Sequence, residues 1–218
     1  MACNCAWSDD AEFVPLEDFI PDALLRAPNA PDEVVANAVR LAAIEFCRTA
    51  MPLARRLCVD AQEGVADYHL TLPDEYHIVA IRSVCVEDTE YFPLGMASCT
   101  PRRAWHHRRF GYTYSQSTGV VLDPPPPRDA PGCLCISAIV QPGQRTCTLP
   151  RELYDDYLET LAAGAAARLL LMSTASWFDR TGAGIQQRIF RSGMVAAKSL
   201  HMRGQAVGPL MMQAPRFI

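Results

Sequence analysis

Lysine is almost missing: Lys198 is the only one, so arginine supplies nearly all of the positive charge. The formal net charge is -4. A protein that coats nucleic acid regardless of sequence needs the opposite balance, because phosphate binding rests on an excess of Lys and Arg. Long apolar runs are missing too. The best candidate, Leu161 to Met172, is broken by Arg168 and rich in alanine, and it falls short of the roughly 18 apolar residues that a membrane helix requires. Catalytic signatures are also wanting. The chain has no GxxxxGKS/T loop, no GxGxxG after a strand, no GxSxG elbow and no HExxH helix.

What is present is apolar mass: half of the 218 residues are hydrophobic, enough for one large core or two small ones. The nine cysteines are odd in number, and the opening MACNCAWSDDAEF has neither a basic start nor an apolar core. Both facts lead to the expectation of a soluble chain made in a reducing cytoplasm, with its cysteines acting as small hydrophobes. The pairs Cys3/Cys5 and Cys133/Cys135 are spaced CxC, unlike the usual CxxC knuckle. On a strand that spacing puts both thiols on one face, so a shared buried face explains them. No metal and no cofactor is expected. A cysteine nucleophile would have to be Cys47, Cys58 or Cys85, and each lies on an apolar-patterned element that fills a core. The chain is therefore expected not to be an enzyme.

The pattern changes character twice along the chain. Residues 1–30, with Pro15, Pro21 and Pro28, read as an extended arm with one short turn of helix. Pro31, followed by Asp32 and Glu33, opens a helix on which Val34, Ala38, Leu41, Ala42 and Phe46 recur at helical spacing until Pro52. Short strand-like runs follow at 55–59, 68–72, 78–86, 111–114, 120–122 and 133–140, which predict a small antiparallel sheet or sandwich. Pro124 to Pro127 cannot donate ladder hydrogen bonds and must form a rigid connection between the last two strands. After Pro150 a helix is predicted through Leu153, Tyr157, Leu161, Ala165 and Leu169, whose AAGAAA run permits a close neighbour. A last helix from near Asp179 to Arg203 has the apolar stripe Ile185, Ile189, Met194, Ala197 and Leu200, with Gly204 as its cap. The fold expected is α+β: a helical bundle domain from 31–52 and 150–204, an inserted small antiparallel β domain at 53–149, and extended arms at 1–30 and 205–218.

Two segments invite a partner. Arg102, Arg103, Trp105, Arg108 and Arg109 form the one basic cluster, fit either for a nucleic-acid backbone or for a protein contact with Arg and Trp as anchors. The protein contact is favoured, because nothing else in the chain extends the basic surface. The tail residues Leu210, Met211, Met212, Phe217 and Ile218 are apolar, and methionine adapts to irregular pockets.

The stretch PDEVVANAVRLAAIEFCRTA, followed by CVDAQEGVADYHLTLPDEYHIVAIRSV, resembles the head-to-tail adaptor (connector) proteins of tailed bacteriophages. The segment from LPRELYDDYLETLAAGAAARLLL through SLHMRG is similar to that family's closing helices. It has a small-residue helix, a tryptophan-containing turn, and a helix with an F-x-x-G-x-x-x-A pattern, here Phe190, Gly193 and Ala197. The likeness spans residues 31–204 and has no catalytic signature. It implies a virion structural protein: a homo-oligomeric, usually dodecameric, ring in the neck, beneath the portal protein. Such a ring is assembled in the host cytoplasm, binds tail or neck proteins, and lets double-stranded DNA pass without sequence-specific contacts and without a membrane. The alternatives are another neck or tail-completion ring protein, or a nucleic-acid-binding module using the loop at 102–109.

Overall fold

The computed structural model describes residues 12–72, 75–94, 110–116 and 119–202. Contacts divide the chain into two compact units. One is a sheet unit built on Leu53–Arg151 together with the residues before Pro15, and the other is a helical unit of Pro15–Pro52 and the chain from Glu152 onward.

The sheet unit begins with β1 (Phe13–Pro15) and continues with β2 (Ala54–Ala61), β3 (Asp67–Tyr68), β4 (Tyr76–Val86) and β5 (Thr89–Pro93). After these come β6 (Gly111–Ser115), β7 (Gly119–Asp123), β8 (Ala130–Pro142) and β9 (Thr148–Pro150). Seven of these strands form one sheet in the order β2-β8-β4-β5-β6-β7-β3, while β1 and β9 pair separately. The small antiparallel insert expected from the sequence is thus corrected. The sheet is the largest element of the fold, and it is mixed, because β5 and β6 run parallel. Parallel neighbours cannot be joined by a hairpin and need about a dozen or more connecting residues. The stretch between Pro93 and Gly111 is long enough to supply them. The strand Thr89–Pro93, which the turn signals did not isolate, forms a hairpin with β4 and is what extends the sheet across to β6.

Along β8, Leu134, Ile136, Ala138 and Val140 are buried while Cys133, Cys135 and Ser137 are half-buried, so one face of the sheet carries the core. The proline run after β7 is held from two sides. Tyr91 donates its hydroxyl to the Pro124 carbonyl at 3.2 Å, and the Gly64 N–H reaches the Pro126 carbonyl at 3.0 Å.

The helical unit also departs from expectation at its start. The part of the proposed N-terminal arm that lies in this unit is a 3-10 turn (Leu16–Phe19) and a short helix α1 (Ile20–Leu24). Leu16, Phe19, Ile20 and Ala23 are buried there, and this burial explains why the segment is not an extended arm. Helix α2 (Asp32–Ala50) follows Pro31 and ends where Met51 adopts a left-handed conformation, its N–H bonded to the Cys47 carbonyl at 3.1 Å. Helices α3 (Arg151–Leu169) and α4 (Arg180–Met202) complete the unit.

Helix α3 is buried without a break from Leu161 to Ala167. Its alanines and Gly164 are small because α4 lies close. A Cβ on Gly164 would stand 2.7 Å from the Phe190 ring, and one on Gly193 would stand 2.5 Å from Thr160. Arg168 ties the helices together. Its guanidinium pairs with Glu45 of α2, donates to the Gly164 carbonyl at 2.7 Å, and lies 5.5 Å from the Phe190 ring centroid.

Two glycine substitutions separate packing from helix propensity. Alanine is about 1 kcal/mol better than glycine within a helix, and Gly184 of α4 has nothing within 4 Å of an added Cβ. Gly184→Ala should therefore raise the stability of the helical unit by about 0.5–1 kcal/mol. Gly164→Ala should lower it, because displacing the fully buried Phe190 costs about 1–3 kcal/mol. Urea unfolding followed by far-UV circular dichroism measures both.

Candidate functional site

The two residue groups singled out for partner contacts, Arg102, Arg103, Trp105, Arg108 and Arg109 in the loop and Leu210, Met211, Met212, Phe217 and Ile218 in the tail, lie outside the described residues. The candidate surface among the described residues is on α4.

The sequence places Ile185, Ile189, Met194, Ala197 and Leu200 on one stripe, but the structure divides them between two faces. Ala183, Phe190, Met194 and Ala197 are buried. Ile185, Ile189 and Leu200 are 46%, 37% and 43% exposed, and with the exposed Ala196 they sit at i, i+4, i+11 and i+15 along a separate line. A second line, Arg188, Arg191, Val195, Lys198 and Met202 at i, i+3, i+7, i+10 and i+14, lies about 130° round the helix from it at about 100° per residue and is exposed throughout. Helix α4 contains no Asp or Glu. No described carboxylate forms a salt bridge with Arg188, Arg191 or Lys198. The turn between α3 and α4 adds exposed Leu171, Met172 and Phe178. Contiguous apolar surface rimmed by charge is the usual mark of a protein contact. Nothing in the hydrophobic periodicity alone distinguished this face from the buried one; the absence of acidic residues across the whole helix was the available signal.

The sheet unit carries a second constellation. Cys58, Cys135 and Cys85 are register partners across β2, β8 and β4, and Glu90 of β5 continues the row opposite Cys85. The Cys58 and Cys135 sulfurs are 3.3 Å apart. Burial first, and then the Glu90 carboxylate, push the Cys85 thiol above its ordinary value. It is thereby held as the thiol, the opposite of what an activated nucleophile needs. Cys47 is buried on α2. Among the described residues no group of three or more His, Cys, Asp or Glu is arranged to hold a metal ion.

A cavity of about 400 Å³ in the same unit is lined by His69, Tyr76, His77, Tyr114, Ser115 and Gln116 among others. The neighbouring residues 73, 74, 117 and 118 lie outside the described part, and no catalytic role is assigned to it. No helix among the described residues is long and apolar enough to cross a membrane.

No protein-family model matches the chain, and no curated protein matches it.

The buried phenols generate a pH prediction. Burial pushes Tyr91, Tyr112 and Tyr114 above the ordinary tyrosine value, with the neighbouring Tyr68 adding to the effect at Tyr91. Tyr91 and Tyr112 donate their hydroxyls to the carbonyls of Pro124 and Ile81, which a phenolate cannot do. The folded state thus keeps these protons longer than the unfolded chain. The stabilisation is complete below pH of about 10, the unfolded value, and is lost as pH rises through the raised folded values. Titration of the tyrosinate absorbance should show these phenols ionising together with loss of the sheet signal, and not ahead of it.

Proposed function

We propose that this chain is a structural subunit of a tailed-bacteriophage neck. It acts as a head-to-tail adaptor that forms a ring beneath the portal, extends the DNA channel and receives the tail. The reading rests on the resemblance over residues 31–204, and the observation that supports it in the fold is the unpartnered apolar and cationic face of α4. A subunit whose working surface is an exposed helix face, with the Cys85 thiol held protonated and Cys47 buried, is suited to assembly and not to turnover. A ring also needs one heterologous interface repeated until the rotation closes, and that requires two different complementary surfaces on each copy. The overall negative charge supports a channel wall that does not grip passing DNA. In this reading the tail residues Leu210, Met211, Met212, Phe217 and Ile218 anchor into the portal or a tail subunit, and the Arg102 to Arg109 segment makes a protein contact.

The deciding measurement is the mass of the purified protein, alone and mixed with a candidate portal protein, by native mass spectrometry. A ring, or a monomer that joins the portal ring in one fixed high stoichiometry, is the expected result; a monomer indifferent to portal overturns the reading. Removal of residues 205–218 should abolish docking to the portal while leaving the circular dichroism spectrum of the folded chain unchanged. Normal docking by the truncated chain would show that the tail is not the anchor.

A further inference from the structure

The charges of the helical unit are segregated by helix. Helix α4 has four cationic residues, Arg180, Arg188, Arg191 and Lys198, and no carboxylate. The first half of α3 has the reverse: Glu152, Asp155, Asp156 and Glu159 lie at i, i+3, i+4 and i+7, all exposed and all on one side of the helix. Glu159 is 81% exposed even though it pairs with Arg26 at 3.3 Å. That pair brings the end of α1 against α3, and the residue before Arg26, Leu25, is an apolar side chain left 84% exposed. The turn before it adds exposed Glu17 and Asp18. The unit therefore presents an acidic row with an apolar neighbour, and a cationic row with an apolar neighbour. The two rows are of similar length. Arg188 to Lys198 spans about 15 Å of helix and Glu152 to Glu159 about 10 Å at the α-helical rise.

We infer that the Arg188, Arg191 and Lys198 line of α4, with the exposed Val195 and Met202 on that same line, docks on the Glu152 to Glu159 row of α3 and Leu25 in a second copy of this chain. The inference rests on the ring reading and supplies its interface. The occupant is a second copy because the complementary surface is found on the chain itself: the acidic row matches the cationic one in sign and length, and each has exposed apolar side chains next to it. Within one copy the two rows remain separate, with no salt bridge among the described residues joining Arg188, Arg191 or Lys198 to α3. Two different surfaces that complement each other head-to-tail build rings, not closed pairs. The apolar side chains supply contact area, and the charges set register and exclude wrong partners.

The test uses the full chain and two charge-reversed variants: Arg188→Glu/Arg191→Glu/Lys198→Glu on one side, and Glu152→Lys/Asp155→Lys/Asp156→Lys on the other. Each variant alone should lose self-association by at least about 100-fold in sedimentation velocity, since like charges then face each other. Mixing the two in equal amounts should restore assembly, because each now offers what the other lacks. A misfolded variant could not be rescued by mixing, and Val195→Ser, which leaves every charge in place, should weaken assembly independently. A wild-type chain that forms rings, with variants that form them equally well, overturns this interface and leaves the ring reading standing. A wild-type chain that stays monomeric alone and with portal overturns both. A monomer that binds duplex DNA through Arg188, Arg191 and Lys198, with affinity falling steeply as salt rises, overturns the inference in favour of nucleic acid.

Discussion

The closeness of α3 and α4 is the constraint on which the helical unit depends. Gly164 lies under the Phe190 ring and Gly193 lies against Thr160, so the glycines of each helix make room for a side chain of the other. Because they do, Arg168 can reach across three helices at once, to Glu45, to Phe190 and to a carbonyl of its own helix. The same closeness divides the labour within α3. Its second half is walled in from Leu161 to Ala167, while its first half shows carboxylates to solvent. It also fixes which side of α4 is used up. With Ala183, Phe190, Met194 and Ala197 turned inward, the isoleucines at 185 and 189 are left 46% and 37% exposed.

Much of this was legible in the residues, and the failures have physical causes. The bounds of α2 follow from Pro31 and Pro52, because proline both favours a helix start and stops its continuation. The long strands β4 and β8 contain the β-branched runs expected of them. The pairing order was not legible. Strand partnership is set by contacts between distant segments, and the parallel β5 and β6 pair leaves no local mark comparable to a hairpin turn. Burial of Leu16 and Phe19 was missed because Pro15 and Pro21 dominate the local pattern, although proline suits the first turn of a helix as well as an extended arm. On α4 the apolar residues were all assigned to one stripe. A 3.6-residue period drifts slowly enough that two adjacent faces read as one broad face until packing separates them. The residues named for partner contact fall in the loop and tail outside the described part, so the face of α4 stands in their place as the surface the fold itself presents.

The two units divide the chemistry. In the sheet unit, the Tyr91 and Tyr112 phenols and the Cys85 thiol sit where burial favours their neutral forms, and the two hydroxyls donate to the backbone carbonyls of Pro124 and Ile81. These groups stabilise a scaffold and are poorly placed to exchange protons near neutral pH. In the helical unit α4 exposes only cations and the first half of α3 a row of carboxylates, an arrangement that contributes little to the stability of a single chain but strongly shapes what that chain meets.

The order of elements also bears on how the chain is made. Helix α2 ends at Ala50, and its partners α3 and α4 begin at Arg151 and Arg180. At ribosomal rates of about 5–20 residues per second, roughly 5 to 20 seconds pass between synthesis of α2 and arrival of the helix it packs on. During that interval Val35, Val39 and Phe46, all buried in the finished fold, have no native cover. The sheet unit faces a shorter wait, since β8, the strand that joins β2 to β4, is complete by Pro142. Newly made chains therefore close their sheet first and their helices last, and the faces of α3 and α4 that would meet another copy come into being only when translation is nearly over.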